Sequence, residues 1–259
     1  MAGGNGTLGY TKFLFVRVRP DDAGVGARMR TVGSMVARGF FNDFDADGSR
    51  DTQPHETIQF LVADAGADDR PGLAGARYVA QVSAKYQARL EEVETELKRR
   101  LGDAGEVTAL DGAERPPRYT SAEMYEYAYR HASVRQSGRV ASRAFLLPIS
   151  KTPEWWGLTA LERQSYFYPH VNQASGCPVH GHARAAERGI ATLHRRLYHN
   201  PNGYQRDGEF DFLTYFECEE PHACTFEDVL RGLRDTTRNP EWRFVQEGPL
   251  WRGHRVLRW

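Results

Sequence analysis

The chain has 259 residues, 40% of them apolar and 12% aromatic, with Lys plus Arg balanced against Asp plus Glu at 34 each. That length can bury one large core or two smaller ones, and the even charge argues against nucleic acid or an anionic membrane as partner, leaving a small-molecule substrate as the expected ligand. The start, MAGGNGTLGY, has no basic-then-apolar leader pattern, and no apolar run approaches the ~18 residues that span a bilayer, so the expectation is a soluble, cytoplasmic protein whose cysteines (Cys177, Cys218, Cys224) stay reduced.

In chain order, TKFLFVRVRP puts Leu14, Val16 and Val18 on one face of an extended segment and Phe13, Phe15 and Arg17 on the other, which predicts a mostly buried strand. A helix is expected through GARMRTVGSMVARGF, then the turn-rich NDFDADGSRDTQPHE, then a strand in TIQFLVADA from Thr57. DFDADG resembles the start of a calcium loop, but the bidentate Glu is missing at the later position, so a solvated loop is the reading. From Arg77 to Leu101, apolar residues recur at helical spacing between charges, which predicts one surface helix with a solvated face. The segment LDGAERPPRYTSAEMYEYAYRHAS reads as a connector between halves, its tyrosines alternatively lining a pocket mouth.

The second half restarts the pattern: strand RAFLLPIS, a long helical stretch from Thr159, strand TLHRRLYHN, turn PNGYQRDGE, strand FDFLTYFEC, helix TFEDVLRGLRDT and strand RFVQEG. The order β-α-β-β-α-β is the ferredoxin-like unit, and the first half reads as a degenerate copy. The expected fold class is therefore α+β: two fused ferredoxin-like halves, 1–135 and 136–259, joined in one large antiparallel sheet with helices on its faces, of the dimeric α+β barrel type. A ligand would sit between a sheet face and the helix covering it. The tail WRGHRVLRW reads as an arm needing a partner to cover it. With Trp242, Trp251 and Trp259 at surface positions, it predicts a homo-oligomer.

SKTPEWWGLTALER, a following His, RRLYHN, DFLTYFE and FEDVLRGLRDT together resemble the C-terminal, haem-binding half of the chlorite dismutase family, over about Arg143 to Val245. The resemblance implies fused ferredoxin-like halves assembled into pentameric or hexameric rings, haem b in the C-terminal half only, and an oxidoreductase acting on chlorite or a peroxide, with a haem enzyme of a biosynthetic pathway acting on an organic substrate as the alternative. It makes Lys151, Trp155 and Trp156 the edge of the haem pocket, where an ammonium and an indole N–H suit a propionate. It makes Arg195 the distal arginine, a guanidinium able to hold an oxyanion above the iron, and Phe216 an apolar wall. The plain readings beside these are core packing for the tryptophans and Phe216, and a surface strand arginine, like Arg196, for Arg195.

The span Trp155 to His199 holds five histidines. Counting forward from Trp156 places His170 at the family's iron ligand; counting backward from Arg195 places His182 there, because an extra segment, Val171 to Gly181, lies between them. His182 is preferred, since an insertion upstream of it leaves the His-to-Arg spacing intact, and the segment itself is expected to cover the proximal side or reach a neighbouring subunit. Where the family often has a Glu to orient that ligand, this chain aligns Arg238, with Asp235, Glu241 or a backbone carbonyl as substitutes. A coproheme decarboxylase branch is disfavoured, because Leu147 stands where that branch has its tyrosine and Arg195 where it has Gln. Two readings outside this one are a bare transition metal held by Cys177, His180 and His182 with His170 nearby, or more weakly by Cys218, His222 and Cys224, and a non-catalytic ferredoxin-like binding module.

Overall fold

Strand β1 (Gly9–Val18) is buried along most of its length on both faces, the pattern of a strand covered from two sides. In the computed structural model, which describes residues 7–19, 24–40, 56–64, 73, 75–116, 122–134, 142–173 and 175–259, it lies between β3 (Tyr78–Ala84) and β4 (Gly105–Glu114), with β2 (Thr57–Ala63) outside β3. The order β2-β3-β1-β4 is ferredoxin-like. It recurs as β11-β5-β9-β8, formed by β5 (Arg143–Lys151), β8 (His194–His199), β9 (Phe212–Cys218) and β11 (Trp251–Val256). The pairs β4–β8 and β11–β2 join the halves, while β10 (Val245–Glu247) extends the β11 edge of β5. With β5 also paired to β9, the antiparallel nine-stranded sheet closes into a barrel, which removes the exposed edges of an open sheet.

Three apolar clusters follow from strand alternation. Inside the barrel, Phe13, Phe15, Leu61, Val79, Leu146, Tyr215 and Trp251 come from strands of both halves, and no helix contributes. The opposite faces are covered separately: α1 (Val25–Val36) and α2 (Gln87–Leu101) pack on the first half, and α7 (Ala223–Arg234) packs on the second. Phe226 of α7 is fully buried, its ring 3.8 Å from Phe145 and 5.2 Å from Phe216, centroid to centroid. Phe226→Ala is expected to cost about 3–5 kcal/mol by removing a core aromatic that cannot be replaced by solvent, measurable as a lowered denaturation midpoint in urea.

Four expectations change. The single helix from Arg77 to Leu101 is a strand, β3, followed by α2: Tyr78, Val79 and Val82 suit either period, and antiparallel pairing with both β1 and β2 decides for the strand. The connector begins inside β4, whose half-exposed polar sequence hides its period. The long helix from Thr159 breaks into short pieces at Pro169, Gly176, Pro178 and Gly181. The C-terminal arm is β11, and Trp251 and Trp259 are covered by this chain itself, at 3% and 6% exposure, with indole N–H groups donating to the carbonyls of Ala76 and Leu61. Trp242 is half-buried and donates to Glu247. The tryptophan argument for an oligomer therefore falls. The DFDADG loop lies outside the described residues.

Candidate haem-type site in the C-terminal half

At the end of β5, extended Thr152 and Pro153 at the first helical position start α4 (Pro153–Gly157), so that Trp155 turns inward. Its ring is buried against Tyr166, Phe167 and Phe244, and the Lys151 ammonium lies 4.2 Å from its centroid. That ammonium is not turned towards an outside acceptor: Nζ is 2.5 Å from Glu241 Oε1, with both side chains 5% exposed. Trp156 donates its indole N–H to Asp211 Oδ2 at 3.2 Å, and the same oxygen accepts the Lys151 backbone N–H at 2.8 Å. The donors of Lys151 and Trp156, expected to meet a propionate, are thus engaged within the chain. The Trp155 indole N–H makes no hydrogen bond among the described residues, while its backbone N–H donates to the Thr152 carbonyl at 3.0 Å.

The other oxygen of Glu241 receives His182. Nδ1 of His182 is 2.8 Å from Oε2, which directs Nε2, the free ring nitrogen, away from the carboxylate. Glu241 reaches this position because Pro240 starts a short 3-10 turn (Pro240–Phe244), which moves the carboxylate a few residues past Arg238. Glu241, one of the substitutes expected for the aligned carboxylate, is the acidic residue that meets His182, and Arg238 instead contributes its backbone carbonyl to the N–H groups of His180 and Gly181.

Both countings towards a histidine work because the insertion leaves and returns at one place. The backbone N–H groups of His182 and Ala183 donate to the carbonyls of Tyr166 and Phe167, at 3.1 Å each, so the chain is bonded across the base of the insert as if it were continuous. Between these points, after α5 (Ala160–Ser165), the segment projects as a hairpin of β6 (His170–Val171) and β7 (Pro178–Val179) before α6 (Gly181–Ala185). Its His170 is exposed, with Nδ1 on the Tyr168 carbonyl, and Cys177 is exposed too. Gly181 sits at φ +67, and a Cβ there would come within 2.9 Å of Phe167 and Tyr168 backbone atoms, so glycine is what allows His182 to turn inward directly after the hairpin. Among the described residues no three His, Cys, Asp or Glu side chains converge as a bare-metal site would need.

Burial raises the Glu241 carboxyl, but the facing His182 and the Lys151 ammonium outweigh it and hold it at about 2. Burial pulls Lys151 down from its ordinary value, with Glu241 opposing. Because the folded value of Glu241 is depressed, its contribution to stability is present above the ordinary value of 4.5 and is lost as pH falls towards about 2. Urea titrations across that window should show a steeper acid loss of stability in the wild type than in Glu241→Gln.

Arg195 points from β8 to the helix side, into a narrow, mainly apolar cavity with Phe216, Ala128, Ala186, Ile190 and Val229 among its walls. Ala186 accepts its place one turn after His182, with its N–H on the His182 carbonyl at 3.1 Å, so the segment that carries the histidine also walls the arginine cavity. The guanidinium has no carboxylate partner among the described residues. It meets the thioether of Met124, from α3 (Ala122–Tyr125), and burial pushes its pKa down from the ordinary value. Arg196, taken as a surface arginine, is instead 8% exposed and points towards Glu114 and the Tyr129 ring. Leu147 is buried in the second-half core, with no phenol in its place. Met124 escaped sequence reasoning, and the tyrosine-rich π-helical turn Glu126–Arg130 that follows it, read as a connector or alternatively as a pocket mouth, is laid beside the cavity, which Ala128 lines.

No family model and no curated protein matches this chain. Solved structures do. Chlorite dismutase from Candidatus Nitrospira defluvii in complex with imidazole matches at a TM-score of 0.68 and 20% identity, over 96% of this chain and 92% of that one. A tryptophan-to-phenylalanine variant of the same protein in complex with cyanide matches at 0.67 and 20%, over 96% and 91%. A variant of its arginine to alanine matches at 0.67 and 20%, over 96% and 92%. The chain has the fold of these chlorite dismutases.

Proposed function

We propose that this chain is a divergent member of the chlorite dismutase family: a haem b-dependent oxidoreductase acting on a small oxidant, chlorite or a peroxide, with the cofactor held by the 136–259 half and residues 1–135 completing the barrel without one. The observation that carries this reading is the His182–Glu241–Lys151 array beside a half-buried arginine that has no carboxylate partner among the described residues. A histidine whose Nδ1–H is held by a buried carboxylate is oriented, made more basic and left with Nε2 to ligate iron. His182 would be that ligand, and the exposed position of His170 on the hairpin favours this choice over His170. Imidazole and cyanide, bound by the structural relatives, are both ligands that iron accepts.

Haem, when bound, supplies an iron with an open position for the oxidant. This chain's residues do the rest. Lys151 keeps Glu241 ionised, and Glu241 keeps His182 in one tautomer. Trp155 and Phe167 wall the histidine, and Phe216 excludes water beside the guanidinium. Arg195 is always charged and holds the anionic oxygen of the oxidant and of its product in a site of low polarity, where such an interaction is strong. The cavity is narrow, so a macrocycle would enter by parting the segment after His182 from β8 and β9. Loading the protein with haem and measuring oxygen release on adding chlorite tests the reading: a Soret band with oxygen release supports it, and absence of a Soret band rejects it.

No helix among the described residues is long and apolar enough to cross a membrane, in keeping with the cytoplasmic expectation, which rests on the sequence. A homo-oligomeric ring rests on the resemblance, with the exposed Leu161, Tyr168 and Val171 around the hairpin as surface for it to cover. Sedimentation showing only monomer would reject the ring.

A further inference from the structure

Next to Trp155, a second group of aromatic and cationic side chains is built around Trp156. Its ring stacks on Tyr204, centroids 4.3 Å apart and planes 17° apart, and Phe212 lies beside both. The Tyr204 hydroxyl is 2.8 Å from His199 Nδ1 and accepts from Arg115 Nη1 at 2.9 Å. With the guanidinium donating to the oxygen, the hydroxyl can donate its own proton to the imidazole in the tautomer that leaves Nδ1 unprotonated. Asp211, 1% exposed, ties the group together: Oδ2 receives the Trp156 indole N–H, and Oδ1 receives the backbone N–H of Gln205 at 2.6 Å. Gln205 sits at φ 57, a conformation that non-glycine residues adopt at a cost, so the turn carrying Tyr204 is held in place against local preference.

Stacking alone is ordinary packing. The combination of an indole stacked on a phenol, a carboxylate on the indole N–H and an imidazole nitrogen on the phenol hydroxyl has a chemistry of its own. We propose that Tyr204 is a redox-active tyrosine, oxidised by one electron through Trp156 with its phenolic proton passing to His199. The balance is simple: an oxidant takes one electron from the Trp156 indole, Tyr204 returns one electron to it, the Tyr204 O–H bond breaks, and a proton bond to His199 Nδ1 forms, leaving a neutral phenoxyl. The Asp211 carboxylate offsets positive charge on the indole. Arg115 beside the phenol, and Arg163 with its guanidinium 5.8 Å from the Trp156 centroid, disfavour a build-up of positive charge, so electron and proton must leave together. His199 is thereby part of the step and not a bystander. The natural oxidant is of the class that chlorite or peroxide generates at an iron centre, and for that part the inference rests on the function proposed above.

The test uses the full chain in two arms. In the first, a photo-oxidised ruthenium tris-bipyridyl complex oxidises the protein without any haem, and radicals are followed by transient absorption and electron paramagnetic resonance. Among twelve tyrosines, the tyrosyl signal is expected to be lost in Tyr204→Phe, leaving an indolyl signal, and to be slowed in His199→Gln with loss of its solvent deuterium effect. Melting curves check that both variants fold. A tyrosyl signal that survives Tyr204→Phe, or one that forms equally fast in His199→Gln, overturns the proposal. In the second arm, haem-loaded protein is mixed with hydrogen peroxide and freeze-quenched. The same Tyr204 signal connects the relay to the iron site, and failure to bind haem rejects the proposed function while the first arm still decides the relay.

Discussion

His182→Ala is expected to abolish the histidine-ligated Soret band on haem titration, while His170→Ala leaves it unchanged. The contrast follows from placement: His182 is joined to a buried carboxylate at 2.8 Å, whereas His170 sits on an exposed two-residue strand with its Nδ1 on a neighbouring carbonyl. Glu241→Gln separates ligation from orientation. The amide keeps the shape but not the charge, so Lys151 loses its counter-ion and the imidazole loses the acceptor that raises its basicity. Loss of such an orienting partner typically costs about 10–100-fold in affinity or activity, so haem should still bind, more weakly and with a shifted reduction potential. Equal binding by Glu241→Gln and the wild type would show that the triad is only structural.

Arg195→Ala should lower kcat by on the order of 10²-fold or more, the usual effect of removing one donor from a developing oxyanion. Haem binding should survive, because the arginine lies on β8 with no part in the His182 array. Arg195→Lys is expected to recover little, since an ammonium on a flexible stem cannot reproduce the planar fork. Met124→Leu removes the thioether that meets the guanidinium and leaves the charge in place, so it separates positioning from charge. Stopped-flow chlorite or peroxide decay measures all three variants. A kcat for Arg195→Ala within a few-fold of the wild type would remove the arginine from the chemistry.

The sequence by itself carried three of the four main strands of the second half and its covering helix. β5, β8, β9 and α7 were legible because each has a long, clean period and a clear turn before it, and the strings around Lys151, Trp155, Trp156, Arg195 and Phe216 pointed to one C-terminal site. Strand β3 was not legible. Buried on both faces, it shows no polar alternation, and Tyr78–Ala84 runs into α2 with apolar spacings that suit a helix equally. β11 was hidden for the opposite reason: alternating arginines and a histidine made WRGHRV look solvated, yet Arg255 is buried at 1% exposure and reaches towards Glu217 inside the barrel. Sequence preferred His182 over His170 on spacing alone, because counting along a chain cannot see that the insertion closes on itself through the Tyr166 and Phe167 carbonyls. Counting offered Glu241 only as one of three substitutes; it meets His182 across 59 positions through a 3-10 turn that shifts the carboxylate away from Arg238. Local pattern determines which segments are strands and helices where propensity and burial agree. Which carboxylate meets which histidine is decided by packing between segments far apart in the chain, because only burial makes that one contact worth forming.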